Sequence, residues 1–194
     1  MEKTIKNLAA AFIGESQARN RYTFYAKVAK KEGFEQISDI FLATAENERE
    51  HAKWLLIMLN QLLLEKEKTG CEVKTEAEVP TVLGNTADNL KASIEGERYE
   101  NTKMYPSFAK IALEEGLPEI AGRLKSISKA EEHHEKRFIA LLTELEGNSI
   151  FKKEADVDWV CKKCGYVYKS KTPPEKCPSC DHPPSYFEVK CEAY

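Results

Sequence analysis

The sequence predicts an all-α four-helix bundle with one long crossover, followed by a small metal-held domain at the C-terminus. Three observations carry this: apolar stripes of helical period up to about Gly147, glycines that punctuate them, and a change of composition from Asp156 onward. Residues 1–147 are rich in Ala, Leu, Glu and Lys. Residues 156–194 are dominated by Cys, Pro, Lys and aromatic side chains, the makeup of a loop-rich unit held by metal instead of a large core. A chain of 194 residues, 42% hydrophobic and 31% charged, accommodates both parts.

Gly33, Gly70, Gly84, Gly116 and Gly147 mark the breaks, and Pro118 stands where a first-turn proline is welcome. Helices are expected over residues 4–31, 35–66, 86–115 and 118–146. The first and third connections are short and imply antiparallel hairpins. The middle one, residues 67–85, is long enough to cross the bundle, as in the ferritin-like topology. Gly33, Ile37, Glu48 and His51 recur at equal spacing as Gly116, Ile120, Glu131 and His134, so two similar hairpins face each other. Pro106 interrupts the third helix at a cost of about 3 kcal/mol, either as a tolerated kink or as one that aims Tyr105 inward.

Lys+Arg 29 against Asp+Glu 32 leaves a net charge of -3 with no long single-sign run, which excludes the basic footprint of a nucleic-acid binder. The start lacks the pattern of a secretory signal, and no apolar run nears the roughly 20 residues of a membrane span. A cytoplasmic protein is therefore expected. In that reducing compartment the clustered cysteines read as metal ligands, while Cys71 and Cys191 read as ordinary free thiols.

Charged groups interrupt the stripes where a core should be. On the second helix the buried face runs through Ile37, Phe41, Ala45, Glu48, Ala52, Leu55 and Leu59; on the fourth, through Leu124, Ile127, Glu131, His134, Phe138, Leu141 and Leu145. Leu8, Phe12, Glu15, Arg19 and Tyr22 share a face of the first helix, and Ile94, Glu97, Met104 and Phe108 one of the third. Buried carboxylates need compensating positive charge, and Arg19 is the sole stripe residue that offers it. Two metal ions serve better. In each ExxH pair, Glu48 with His51 and Glu131 with His134, the side chains point the same way and grip a metal from one helix. With Glu15 and Glu97 the set matches the di-metal carboxylate pattern of four-helix bundles. The stripe favours Glu131 and His134 over the adjacent Glu132 and His133. Mixed oxygen and imidazole donors suit iron or manganese, redox use favours iron, and Glu100 is a surplus carboxylate within reach.

In the tail, Cys161-x-x-Cys164 and Cys177-x-x-Cys180 form two knuckles separated by twelve residues. Tetrahedral S4 sites hold zinc or iron, and spacing does not decide between them. A redox di-iron bundle needs an electron source, which favours iron. A zinc-ribbon interaction module on a structural bundle is the non-enzymatic alternative.

The segments GESQARNRY (14–22), ENEREHAKW (46–54), EGERYENTKMYPSFAK (95–110), AEEHHEKRF (130–138), CKKCGYVY (161–168), CPSC (177–180) and SYFE (185–188) resemble those of rubrerythrins over almost the whole chain. The resemblance implies a di-iron site from Glu15, Glu48, His51, Glu97, Glu100, Glu131 and His134, and one iron on Cys161, Cys164, Cys177 and Cys180. It also implies that one iron trades His51 for Glu100 on oxidation, and that Tyr22 and Tyr105 stand beside the centre. The implied activity is reduction of hydrogen peroxide to water. Electrons would come through the tail from a rubredoxin or an NAD(P)H-dependent reductase, and the chain would form a head-to-tail homodimer or larger homo-oligomer. A ferroxidase or iron-storage protein using the same site is the alternative.

Overall fold

The computed structural model describes residues 1–68 and 70–192. The helical part comprises α1 (Glu2–Lys31), α2 (Glu35–Glu65), α3 (Thr86–Tyr99), α4 (Tyr105–Glu114) and α5 (Pro118–Glu146). α3 and α4 are one rod joined by a π turn over Glu100–Met104, so the expected four-helix bundle is present. α1 pairs with α2, and the α3–α4 rod with α5. Gly33 and Gly116 close the two hairpin turns with φ of 85° and 77°, a conformation glycine adopts without a Cβ penalty. The described residues of the crossover, 66–68 and 70–85, run largely exposed, and the Tyr25 hydroxyl donates to the Val82 carbonyl at 2.7 Å to hold its end.

Each hairpin turn caps the opposite hairpin. Glu115, after α4, accepts from the Lys3 and Thr4 amides at 3.2 and 2.9 Å and pairs with the Met1 α-amino group at 2.6 Å. Glu32, after α1, accepts from the Thr86 amide at 3.0 Å at the start of α3. Both carboxylates satisfy amides that a helix N-terminus leaves unbonded and complement its dipole. This cross-capping fixes the register of the two hairpins and so the depth at which their carboxylates meet.

The ligand layer divides the apolar core into two. One side gathers Leu8, Leu55, Tyr105, Leu124 and neighbours; the other gathers Tyr22, Phe41, Leu90 and Phe138. The expected stripes of α2 and α5 are buried from Ile37 to Leu59 and from Leu124 to Leu141. α1 differs from expectation: Arg19 is exposed, and the buried line instead passes through Leu8, Ala11, Glu15, Ala18 and Tyr22. Small alanines carry this face because α1 packs closely on α2. Pro106 does not break its rod either. The π turn just before it, where the Tyr105 amide donates to the Glu100 carbonyl, absorbs the irregularity.

In the tail, β1 (Val157–Cys161), β2 (Val167–Ser170) and β3 (Phe187–Val189) form an antiparallel sheet in the order β2-β1-β3. Its buried centre is small: Trp159, Cys161, Cys177 and Phe187. Lys162, between the first two cysteines, ties the sheet to the bundle through Asp39 of α2 at 2.6 Å while also reaching Glu188 at 3.1 Å.

Candidate metal centres

Two groups of donors converge at mid-bundle, Glu15, Glu48, His51 and Glu131 in one and Glu48, Glu97, Glu131 and His134 in the other, with all ligand atoms of each group within 4.8 Å of one another. Glu48 and Glu131 belong to both. His51 Nδ1 lies 2.9 Å from Glu48 Oε2 and 2.9 Å from Glu131 Oε1. His134 Nδ1 lies 3.2 Å from Glu48 Oε1 and 2.9 Å from Glu131 Oε2. Each of these glutamates thus turns one oxygen to each imidazole, the geometry of a bridging carboxylate, leaving Glu15 and Glu97 terminal on opposite sides. Glu15 Oε1 is 3.9 Å from His51, and Glu97 Oε2 is 3.5 Å from His134.

The donors fit a metal pair better than they fit one another. Both oxygens of Glu48 and Glu131, one each of Glu15 and Glu97, and both Nδ1 atoms are buried without a hydrogen-bond partner, although they crowd together. A buried orphan acceptor is costly, and so many in one spot call for cations between them. The remaining oxygens of the terminal glutamates are held. The Tyr22 hydroxyl donates to Glu97 Oε1 at 2.5 Å, and the Tyr105 hydroxyl donates to Glu15 Oε1.

Electrostatics report the same crowding in the metal-free protein. Burial pushes Glu97 up to about 8, and burial together with the charges of Glu131, Glu100 and Glu48 pushes Glu15 well above the usual carboxylate range. Burial alone would lower the imidazoles, but Glu131 and Glu48 outweigh it and hold His51 at about 10 and His134 at about 12.

Glu100 stands outside both four-residue groups. It is half-buried, and burial and the charge of Glu97 raise it well above its ordinary value. Its place follows from spacing. Glu15 and Tyr22 are seven residues apart on regular helix, two turns, whereas Glu97 and Tyr105 are eight apart. The π turn takes up the additional residue and returns Tyr105 to the centre, and Glu100 begins that turn. Of the neighbouring pair, His133 is exposed and Glu132 lies at the surface with Lys129 and Lys136. One contributor escapes a stripe reading. Arg137, three residues after His134, is partly buried, donates to Thr44 Oγ1 at 2.5 Å and places its charge near Glu97 and Glu48. An arginine directly beside an ExxH turn is the signal that marks it.

The tail sulfurs meet the demand of a tetrahedral ion. Cys161 Sγ lies 3.7 Å from Cys180 Sγ, and Cys164 Sγ 3.6 Å from Cys177 Sγ. A metal–sulfur bond of about 2.3 Å in a tetrahedron places sulfurs about 3.8 Å apart, whereas a disulfide brings them to about 2 Å. The Tyr166 amide and neighbouring sulfurs hold the Cys164 thiol down to about 6, while burial pushes Cys180 up to about 12. Cys71 and Cys191 are exposed and apart from this group.

With this geometry in place, comparison with known proteins is decisive. The rubrerythrin family model matches residues 6–142 and the rubrerythrin rubredoxin-like domain model matches residues 159–188. The chain belongs to the rubrerythrin family. A putative rubrerythrin of Methanocaldococcus jannaschii is 62% identical, covering 100% of this chain and 96% of its own length. Rubrerythrin-1 of Clostridium acetobutylicum is 50% identical over 99% of this chain and 96% of its own length. Among solved structures, a nigerythrin in its mixed-valence state superimposes with a TM-score of 0.64 at 32% identity, covering 96% of this chain and 86% of its own. Membership makes this a di-iron oxidative-stress protein with a rubredoxin-like domain. The carboxylate–histidine cluster and the four-cysteine group fit the di-iron and iron–cysteine sites of rubrerythrins. Among the described residues no helix is long and apolar enough to cross a membrane.

Proposed function

We propose that this chain reduces hydrogen peroxide to water at its carboxylate–histidine centre, drawing electrons through its four-cysteine site. One observation carries the reading: a buried di-metal cradle and a thiolate electron-carrier site are built into one chain and tied together by Lys162 and Asp39. An iron store has no use for the second site. The working units are residues 1–147 and 156–194.

In this reading Glu15, Glu48, His51, Glu97, Glu131 and His134 would hold an iron pair, with Glu48 and Glu131 shared between its two positions, and Cys161, Cys164, Cys177 and Cys180 would hold a third iron. When bound, the iron pair supplies electrophilic binding of peroxide and two electrons for breaking its O–O bond. The chain supplies the rest. Tyr22 and Tyr105 hold the terminal glutamates in orientation and keep a hydroxyl at each side of the centre. Glu100 would take the place of His51 as a ligand to the oxidised pair and, while unligated, would supply a proton to the departing oxygen. The reaction consumes one peroxide, two electrons and two protons and releases two waters. The four-cysteine site would return electrons singly from a rubredoxin or an NAD(P)H-dependent reductase in the cytoplasm, passing them to a second copy of the chain in a homodimer.

The test is anaerobic mixing of prereduced protein with peroxide or with oxygen, following the visible band of the four-cysteine iron together with metal content. Fast oxidation by peroxide, slow oxidation by oxygen and about three irons per chain are expected. Faster reaction with oxygen and deposition of surplus iron would make it a ferroxidase.

A further inference from the structure

The π turn leaves one carbonyl that its own rod cannot serve. In a regular helix the Asn101 carbonyl accepts from amide 105, and in a π turn from amide 106. The Tyr105 amide is committed to the Glu100 carbonyl, and Pro106 has no N–H to give. The Asn101 carbonyl is served instead from α5, where the Ser128 hydroxyl donates to it at 3.0 Å. The Asn101 side chain makes a second grip. Its amide nitrogen donates to the Glu97 carbonyl at 2.9 Å within the rod and to Glu135 Oε2 of α5 at 2.7 Å, while Glu135 Oε1 accepts from Arg98 at 2.6 Å. The Glu135 side chain is 13% exposed, so little water competes for it. Ser128 and Glu135 stand three residues before and four after Glu131, so the stretch of α5 that carries a shared ligand of the centre also holds the rod at two points.

The internal repeat supplies an independent comparison. At the spacing that relates Glu48 and His51 to Glu131 and His134, Ser128 corresponds to Ala45 and Glu135 to Ala52. Both alanines are buried, and their side chains offer no hydrogen bond. The helix paired with theirs, α1, has no π turn: Glu15 and Tyr22 keep two-turn spacing, and Thr23 follows Tyr22 where Pro106 follows Tyr105. The polar pair thus occurs on the hairpin with the irregular turn and is replaced by alanine on the one without.

We propose that Ser128 and Glu135 are positioning residues that lock the π turn from α5, so that Glu100 starts from a fixed backbone and Tyr105 is delivered to Glu15. The lock itself follows from the bonding pattern; its consequence for Glu100 rests on the peroxide-reductase reading, in which Glu100 becomes a ligand of the oxidised pair. Without Ser128 the Asn101 carbonyl competes with that of Glu100 for the Tyr105 amide. The additional residue is then no longer confined to this turn, and Glu100 and Tyr105 rotate away from the centre as it moves along the rod. A bond between helices pins it because no bond within the rod reaches this carbonyl.

The test uses the full chain. In metal-free protein, amide hydrogen exchange over residues 100–105 should be about tenfold faster in Ser128→Ala and in Glu135→Ala, as loss of a partly buried hydrogen bond allows. Ser128→Thr keeps the hydroxyl and should exchange like the parent. So should Ser126→Ala, which removes a hydroxyl bonded to the Gly122 carbonyl of its own helix at 3.1 Å. Pro106→Ala gives the rod an amide for the Asn101 carbonyl, so on that background Ser128→Ala should speed exchange by about twofold or less. A second readout is the reduction potential of the iron pair in loaded protein. With Glu100 no longer in place for the oxidised pair, Ser128→Ala should shift the balance about tenfold toward the reduced pair, a rise of about 59 mV for one electron, and Ser128→Thr should restore it. Unchanged exchange in either alanine variant, or a full effect of Ser128→Ala on the Pro106→Ala background, would overturn the lock. Faster exchange with an unmoved potential would leave the lock standing and overturn the ligand role of Glu100 in the function reading.

Discussion

The Tyr22 hydroxyl, on α1, crosses the bundle to Glu97 Oε1 on α3 at 2.5 Å. Tyr105 on α4 makes the reciprocal bond to Glu15 on α1. Each hairpin therefore orients a terminal carboxylate of the other, and each carboxylate keeps a second, buried oxygen without a hydrogen-bond partner, that of Glu97 3.5 Å from His134. Hydrogen bonds of this kind in a dry site fix the ligand before metal arrives. Tyr22→Phe should weaken metal at the Glu97–His134 position by about 10- to 100-fold with the Glu15–His51 position little changed, and Tyr105→Phe should do the opposite. Chelator competition with spectroscopically distinct Co(II) separates the two positions; equal loss at both in either variant would show that the tyrosines act only as packing.

Protonation of the empty cradle gives a pH dependence whose sign is fixed. His51 at about 10 and His134 at about 12 lie above their ordinary 6.5 because Glu131 and Glu48 overcome the effect of burial. Their stabilising contribution is complete below about pH 6.5 and is lost as pH rises through these values. Glu97, raised by burial from 4.5 to about 8, favours the folded state while neutral, and this too fades between 4.5 and 8. Metal-free protein should therefore melt at progressively lower temperature from pH 5 to pH 9. Metal loading must displace these protons, so at neutral pH calorimetry in buffers of differing ionisation enthalpy should detect roughly three protons or more released. A flat melting profile and no proton release would mean the imidazoles are neutral before loading.

Much of this centre was legible in the sequence because polar residues interrupt apolar stripes at helical spacing. Glu48, His51, Glu131 and His134 stand out on faces whose other members are large and apolar, and the equal spacing of the two hairpins pairs them. α1 was harder. Its buried face is built of Ala11, Ala18, Ala26 and Ala29, which mark no stripe, and the longer Arg19 drew the assignment one position too far. The π turn was invisible to a periodicity argument, since Pro106 suggests a kink and only the comparison of Glu15–Tyr22 with Glu97–Tyr105 exposes the additional residue. Cross-capping by Glu32 and Glu115 could not be read at all, because it joins residues remote in sequence across the bundle.

That cross-capping has its own consequence. Burial acts to raise Glu115, but the Met1 α-amino group, Thr4 and the Lys3 amide together outweigh it and hold the carboxyl down to about 2. A depressed carboxylate stabilises the fold above its unfolded pKa near 4.5, and this contribution is lost as pH falls toward 2. Glu115→Gln should cost about 1 kcal/mol, in the range of a lost helix cap, and lower the melting temperature by about 2–4 °C at pH 7 while making little difference at pH 2.5. A variant that melts like the parent at pH 7 would show that water replaces the carboxylate without penalty.

The two metal sites should also differ in what their metals do for folding. The bundle keeps two apolar clusters on either side of its ligand layer, whereas the tail buries little beyond Trp159, Cys161, Cys177 and Phe187. A sheet that small draws most of its folding free energy from the metal. Removing metal from both sites should leave far-UV helicity nearly intact yet expose Trp159, whose Nε1–H now donates to the Ser170 carbonyl at 3.0 Å across β1 and β2. The expected signature is a red shift of indole emission that Cys164→Ser and Cys177→Ser reproduce without chelator, and that His51→Ala does not. If emission stays blue in metal-free protein, the tail folds on its apolar contacts alone and its cysteines serve electron transfer without serving stability.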